Sequence, residues 1–148
     1  MKGIDLDEDG VPYAINARGV ALLGALVYDH PALLPVLHQH LVDQELEILT
    51  TMLLDEIASW MRQNLAANPV EVQSILDWLD LRYPNMHPDD KNLLDITILE
   101  FPEGYGNAGL MLAAQFGPNL LAATDPPPNF RKLKGWRRKG RNTSERPA

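Results

Sequence analysis

Apolar residues recur along this chain at helical rather than strand spacing. Val20, Leu23, Leu26 and Val27 share one face of a segment that opens at Asn16, a residue suited to an N-cap. Asp29-His30-Pro31 breaks the segment. Pro31 and Pro35 both fit the first turn of a second helix, which carries Leu33, Leu34, Leu37 and Leu41. The strongest periodicity runs from Gln44 to Asn64. There Leu46, Leu49, Leu53, Ile57 and Trp60 form a stripe, with Glu47, Thr51, Asp55 and Arg62 largely opposite. Asn68-Pro69 reads as an N-cap followed by Pro at the first helical position. The helix it opens has Val72, Ile75, Leu76 and Leu79 on one face and Trp78 and Leu81 beyond it, a pattern that predicts a helix sandwiched between neighbours. Tyr83-Pro84-Asn85 ends it.

Pro88-Asp89-Asp90 marks another start, with early acids complementing the helix dipole. The residues that follow, Leu93 to Phe101, are apolar nearly all round, and Ile96-Thr97-Ile98 leaves a short strand as the alternative. Gly104-Tyr105-Gly106-Asn107 reads as a loop and Ala108 to Phe116 as helix. Gly117-Pro118 interrupts, and Asn119 to Ala123 adds a turn. The predicted fold is all-α: a compact bundle of five or six antiparallel helices over residues 16–124. Residues 1–15 form an acidic arm. Residues 125–148 form a Pro-rich linker and a disordered basic tail, which the Pro126-Pro127-Pro128 triplet is expected to hold away from the body.

At 148 residues and 45% hydrophobic content the chain suits one cored domain. The absence of Cys excludes thiolate catalysis, disulfides and Cys-ligated zinc. The acidic start lacks an apolar signal region, and no apolar run reaches the roughly 20 residues of a membrane span, so a cytoplasmic location is expected. Charge changes the picture more. Residues 1–130 hold five Lys and Arg against nineteen Asp and Glu, a net −14, whereas residues 131–148 hold eight against one, a net +7. An acidic body with a basic tail speaks of partners rather than of fold.

Asp5-x-Asp7-x-Asp9-Gly10 matches the opening of a calcium loop, yet Asn16 stands where a bidentate Glu is required and Pro12 interrupts the loop. A solvated arm is the plainer account. His38 and His40 diverge on a helix and cannot share an ion, and His30 and His87 lie at helix boundaries. The histidines therefore read as surface or capping residues, with no metal and no cofactor expected. Glu47, Asp55, Glu56, Asp77 and Asp80 offer carboxylates as a solvated face, as a face shaped for a basic partner, or as a catalytic pair. Glu100, between Leu99 and Phe101, reads as a partly buried acid. No matched Ser or Thr nucleophile is discernible, and Gly106-Asn107-Ala108-Gly109 is no phosphate loop.

His30-Pro31-Ala32-Leu33-Leu34, Glu47 to Trp60, Val72 to Leu79, Asn92 to Glu100 and Phe116-Gly117-Pro118-Asn119-Leu120 carry a family resemblance. Over residues 30–123 they resemble small, all-helical, uncharacterised bacterial proteins with immunity-protein-like members. The resemblance implies a helical fold and a protein-binding role, and carries over no catalytic residue.

The expectation is thus a non-enzymatic protein-binding module, an immunity-type inhibitor of a basic toxin domain. Its expected contacts are Asp55, Asp77, Asp80, Asp89 and Asp90, with Tyr105 as an aromatic anchor. The alternative is a nucleic-acid-associated or assembly protein. It would use Arg131, Lys132, Lys134, Trp136, Arg137, Arg138, Lys139 and Arg141, cations for phosphate and an indole for stacking.

Overall fold

A computed structural model describes residues 16–134. The protein is all-helical, with seven α-helices among the described residues rather than five or six: α1 Ala17–Asp29, α2 Leu34–Asp43, α3 Thr50–Asn64, α4 Pro69–Arg82, α5 Pro88–Leu94, α6 Gly106–Ala113 and α7 Pro118–Ala123. Asn16 caps α1 as expected, its side chain accepting from the Gly19 N–H at 3.0 Å. Pro31–Leu33 is a 3-10 turn leading into α2. The core gathers Leu23, Leu26, Leu33, Leu53, Leu54, Ile57, Met61, Ile75, Leu76, Leu79, Leu94 and Leu99. Most of these lie on the apolar faces read from the periodicity.

Helix α3 starts six residues later than its pattern suggests. Gln44 to Leu49 form a connection, with Glu45 (φ 53°) and Leu46 (φ 73°) in the left-handed region and Leu46 exposed. The cause is His40, which is buried at 1% exposure rather than lying on the surface. Its Nε2 accepts the Leu49 N–H at 3.0 Å, so Nδ1 carries the proton and donates to Glu56 at 2.7 Å. A buried imidazole needs both partners. Taking the Leu49 N–H fixes where α3 begins, and the Leu46 N–H closes the turn on the Leu41 carbonyl at 2.7 Å.

In α4, Val72, Ile75, Leu76 and Leu79 are fully buried, but Leu81 is 73% exposed. The helix buries one face and is not sandwiched. After α5 the chain continues as a π-helical turn, Asp95–Leu99, rather than a strand. The Thr97 hydroxyl donates to the Leu93 carbonyl at 2.7 Å, which satisfies this buried side chain inside a helical turn. The expected loop is a 3-10 turn, Pro102–Tyr105, running straight into α6 at Gly106. Gly109 lets that turn lie against α6, since a Cβ there would strike the Pro102 carbonyl oxygen and Tyr105.

The C-terminal segment also departs from expectation. Glu100 and Asp125 form a parallel bridge, the Phe101 N–H donating to Asp125 at 2.9 Å. Beyond the prolines, Phe130–Lys132 is a 3-10 turn, with Phe130 half-buried against the core. The prolines therefore do not hold residues 129–134 away from the body. Ordered packing extends past residue 124, because side chains of the α6 region satisfy this backbone.

A β-carbon in the left-handed region costs about 1–2 kcal/mol, and glycine removes that cost while losing more chain entropy. Leu46→Gly is expected to stabilise the protein by about 0.5–1 kcal/mol in urea unfolding. A loss of stability would contradict the turn described here.

Candidate protein-binding surface

Residues 16–130 contain four cations, Arg18, Arg62, Arg82 and Lys91. Three lie on aromatic rings. The Arg62 guanidinium carbon is 3.8 Å from the Tyr105 ring centroid, and that of Arg82 is 3.9 Å from the Trp78 centroid. Lys91 Nζ stands 5.5 Å from the Tyr83 centroid, inside the range of the cation–π attraction. The rings are themselves fixed. The Trp78 indole donates to Asp29 at 2.8 Å, and the Tyr83 hydroxyl to Asp95 at 2.8 Å. Burial, with help from Asp95, pushes the Tyr83 phenol up to about 12, so it remains a neutral donor.

Ion pairing is correspondingly sparse. The ion pairs among the described residues are His40–Glu56, His87–Asp89 and Lys132–Glu103. No Lys or Arg of residues 16–130 pairs with a carboxylate in this set. Among the described residues, Asp55 and Asp77 are exposed carboxylates with no Lys or Arg in ion-pair contact.

The expected contact residues divide. Asp55, Asp77 and Asp89 are exposed; Asp77 accepts from Gln73 at 2.9 Å, and Asp89 lies 3.6 Å from the His87 ring nitrogen. Asp55 shares a neighbourhood with Tyr105, since both bear electrostatically on Arg62, whose pKa burial lowers and these two raise. Tyr105 is 44% exposed, with Arg62 over one face of its ring. Asp55 also lines a groove of about 590 Å³ with Thr51, Met52 and Ile96.

Asp80 and Asp90 are not free contacts. Asp80 caps α7 across space, its Oδ1 accepting the Leu120 N–H at 2.9 Å while its backbone carbonyl accepts from Asn119. Gly117, at the N-cap of α7, makes room for it, since a Cβ there would collide with the Asp80 carboxylate. Asp90 is 7% exposed, and its Oδ1 has no hydrogen-bond partner among the described residues.

Two polar pairs lay beyond the sequence reading. One is His40–Glu56. The other joins α1 to α4: His30 Nδ1 faces the Leu26 carbonyl at 2.8 Å, so Nε2 accepts from the Ser74 hydroxyl at 3.2 Å. Ser74 and His30 have the relation of a nucleophile and its base. Acyl transfer also needs donors for an oxyanion, and Ser74 sits inside α4, where backbone N–H groups are committed to the helix. The pair holds the end of α1 to α4. Among the described residues, no group of three or more His, Cys, Asp or Glu is placed to hold a metal ion.

In the basic segment, Arg131 is exposed, Lys132 pairs with Glu103 at 3.0 Å, and the Lys134 backbone is held by Asn107. Trp136, Arg137, Arg138, Lys139 and Arg141 lie outside the described residues, as do Asp5, Asp7 and Asp9 of the calcium-like motif. No single described helix is long and apolar enough to cross a membrane, although α1 and the Pro31–Asp43 segment, bent by 113°, pass that test as a pair. No family model, curated protein or solved structure matches the chain.

Burial raises the Asp90 carboxyl above its ordinary 3.8, opposed by Arg18 and His87 and reinforced by Asp89. A raised native pKa means that the folded state binds the proton more tightly. Its stabilising contribution is complete below the unfolded value and lost as pH rises through the native one. Asp90→Asn is expected to remove this slope and to raise stability at neutral pH by about 1 kcal/mol. Urea unfolding across pH 3 to 7 checks it, and an unchanged slope would refute the assignment.

Proposed function

We infer that the protein is a binding module whose exposed carboxylates recognise a basic protein, as an immunity-type inhibitor recognises a toxin domain. One observation carries the reading: three of the four cations in residues 16–130 rest on aromatic rings. A surface acid paired with a neighbouring Lys or Arg offers little field to a partner, whereas an unpaired one steers association and raises its rate. Asp55, Asp77 and Asp89 are the exposed acids of this reading, and Tyr105 with Arg62 adds the aromatic–guanidinium chemistry enriched at interface hot spots. The nucleic-acid reading stands second, because Lys132 is already engaged by Glu103.

The test is affinity capture from host cells at low ionic strength, using the wild type and a triple variant, Asp55→Asn, Asp77→Asn, Asp89→Asn. The wild type is expected to retain a basic protein. The variant is expected to lose it, as is the wild type near 1 M salt, where screening acts over about 3 Å. Undiminished retention of the same protein by the triple variant would overturn the reading.

A further inference from the structure

Helices α2 and α3 enclose a groove of about 390 Å³, separate from that of Asp55. One face of each helix builds it. Pro35 and Val36 stand one turn before Gln39 and His40 on α2, and Glu56, Ser59, Trp60 and Gln63 follow at spacings of three and four on α3. Asp55 and Glu56 line different grooves because consecutive residues diverge by about 100° on a helix.

The polar groups of this groove divide into those in use and those left free. Both His40 ring nitrogens are committed, Nε2 to the Leu49 N–H and Nδ1 to Glu56 Oε1 at 2.7 Å. That bond fixes the Glu56 side chain and leaves its Oε2 with no hydrogen-bond partner among the described residues. At 36% exposure the side chain is only partly hydrated. The Gln39 amide nitrogen donates to Asp43 and that of Gln63 to Ser59, each at 2.9 Å, so both keep an oxygen as the free end. Pro35, Val36 and the Trp60 ring supply apolar surface, Val36 and Trp60 half-buried against the core. Among the described residues, no Lys or Arg lines the groove.

A neutral apolar molecule here would leave the carboxylate unpaired and further dehydrated, and an anion would be repelled. An ammonium is a donor with no acceptor, and it meets Glu56 and the glutamine oxygens on their own terms. The carboxylate is already held by His40, which lowers the ordering cost of binding. The volume matches small-molecule pockets rather than protein interfaces. We propose that the α2–α3 groove binds a free primary amine with an apolar body, its ammonium on Glu56 and its carbon skeleton against Pro35, Val36 and Trp60. The site is independent of the acidic-surface reading, whose contacts Asp55, Asp77 and Asp89 lie outside it.

Titration of the isotope-labelled full chain with phenethylammonium, followed by nuclear magnetic resonance, tests it. Saturable shifts are expected at the Trp60 indole and at the side-chain amides of Gln39 and Gln63. Phenethyl alcohol, the same body without the charge, is expected to bind about tenfold more weakly. Glu56→Gln keeps an oxygen for the His40 Nδ1–H but loses the charge, and is expected to weaken ammonium binding about tenfold. Gln39→Lys, at an exposed position, brings an ammonium of the chain's own to the groove and is expected to weaken it likewise, which keeps the test decisive should the first variant fold poorly. Absence of saturable shifts, equal affinity for the alcohol, or unchanged affinity in the variants would overturn the proposal. Shifts at these residues with a lysine decamer and none with phenethylammonium would overturn it too, by giving the groove to a basic protein.

Discussion

The electrostatics of this protein depend on where its few body cations are held. Arg62 has Asp55 in its electrostatic surroundings, yet it, Arg82 and Lys91 each lie over an aromatic ring. Two features favour that choice. The rings of Trp78 and Tyr83 are fixed by hydrogen bonds to Asp29 and Asp95, so stacking on them adds little ordering cost. A surface ion pair, by contrast, gains only about 0–1 kcal/mol after side-chain entropy and screening. The rings thus take these cations in place of the carboxylates. Lys132, from beyond residue 130, is in turn held by a body carboxylate, Glu103.

Polar side chains, the buried His30 and His40 among them, set the positions of the elements that display this charge. His40 ties the connection before α3 to Glu56 and determines the first turn of the helix that carries Asp55 and Arg62. Ser74 and His30 hold α1 to α4, which brings Asp29 within reach of the Trp78 indole. Asp80 fixes α7, whose end leads through Thr124 to the Asp125 bridge. The exposed acids of these helices are positioned by these joints.

Much of the fold was legible in the sequence, because helical periodicity records which side of a helix faces the core. Val72, Ile75, Leu76 and Leu79 show this, as do Leu53 and Ile57. The late start of α3 was not legible, since the apolar spacing of Leu46 and Leu49 continues the stripe while the capping group comes from His40, nine residues before Leu49. The role of Asp80 was hidden for the same reason, its partner Leu120 lying forty residues away. Asp77 and Asp80 looked alike in sequence, three residues apart on one helix, and only packing distinguishes the free acid from the cap. Charge counting gave the surplus of acid correctly, but not its cause. Pairing of Arg62 with Tyr105 joins residues forty-three apart and leaves no local signature.

The most direct test is the chemical shift of the side-chain methylene protons of Arg62 and Arg82 by nuclear magnetic resonance. Guanidinium groups seated on Tyr105 and Trp78 place those protons under the ring currents. They should resonate upfield of random-coil positions, hold there in about 1 M salt, and return when Tyr105 or Trp78 is replaced by Leu. Random-coil shifts in the wild-type protein, with contacts from these side chains to carboxylate-bearing residues instead, would contradict the account.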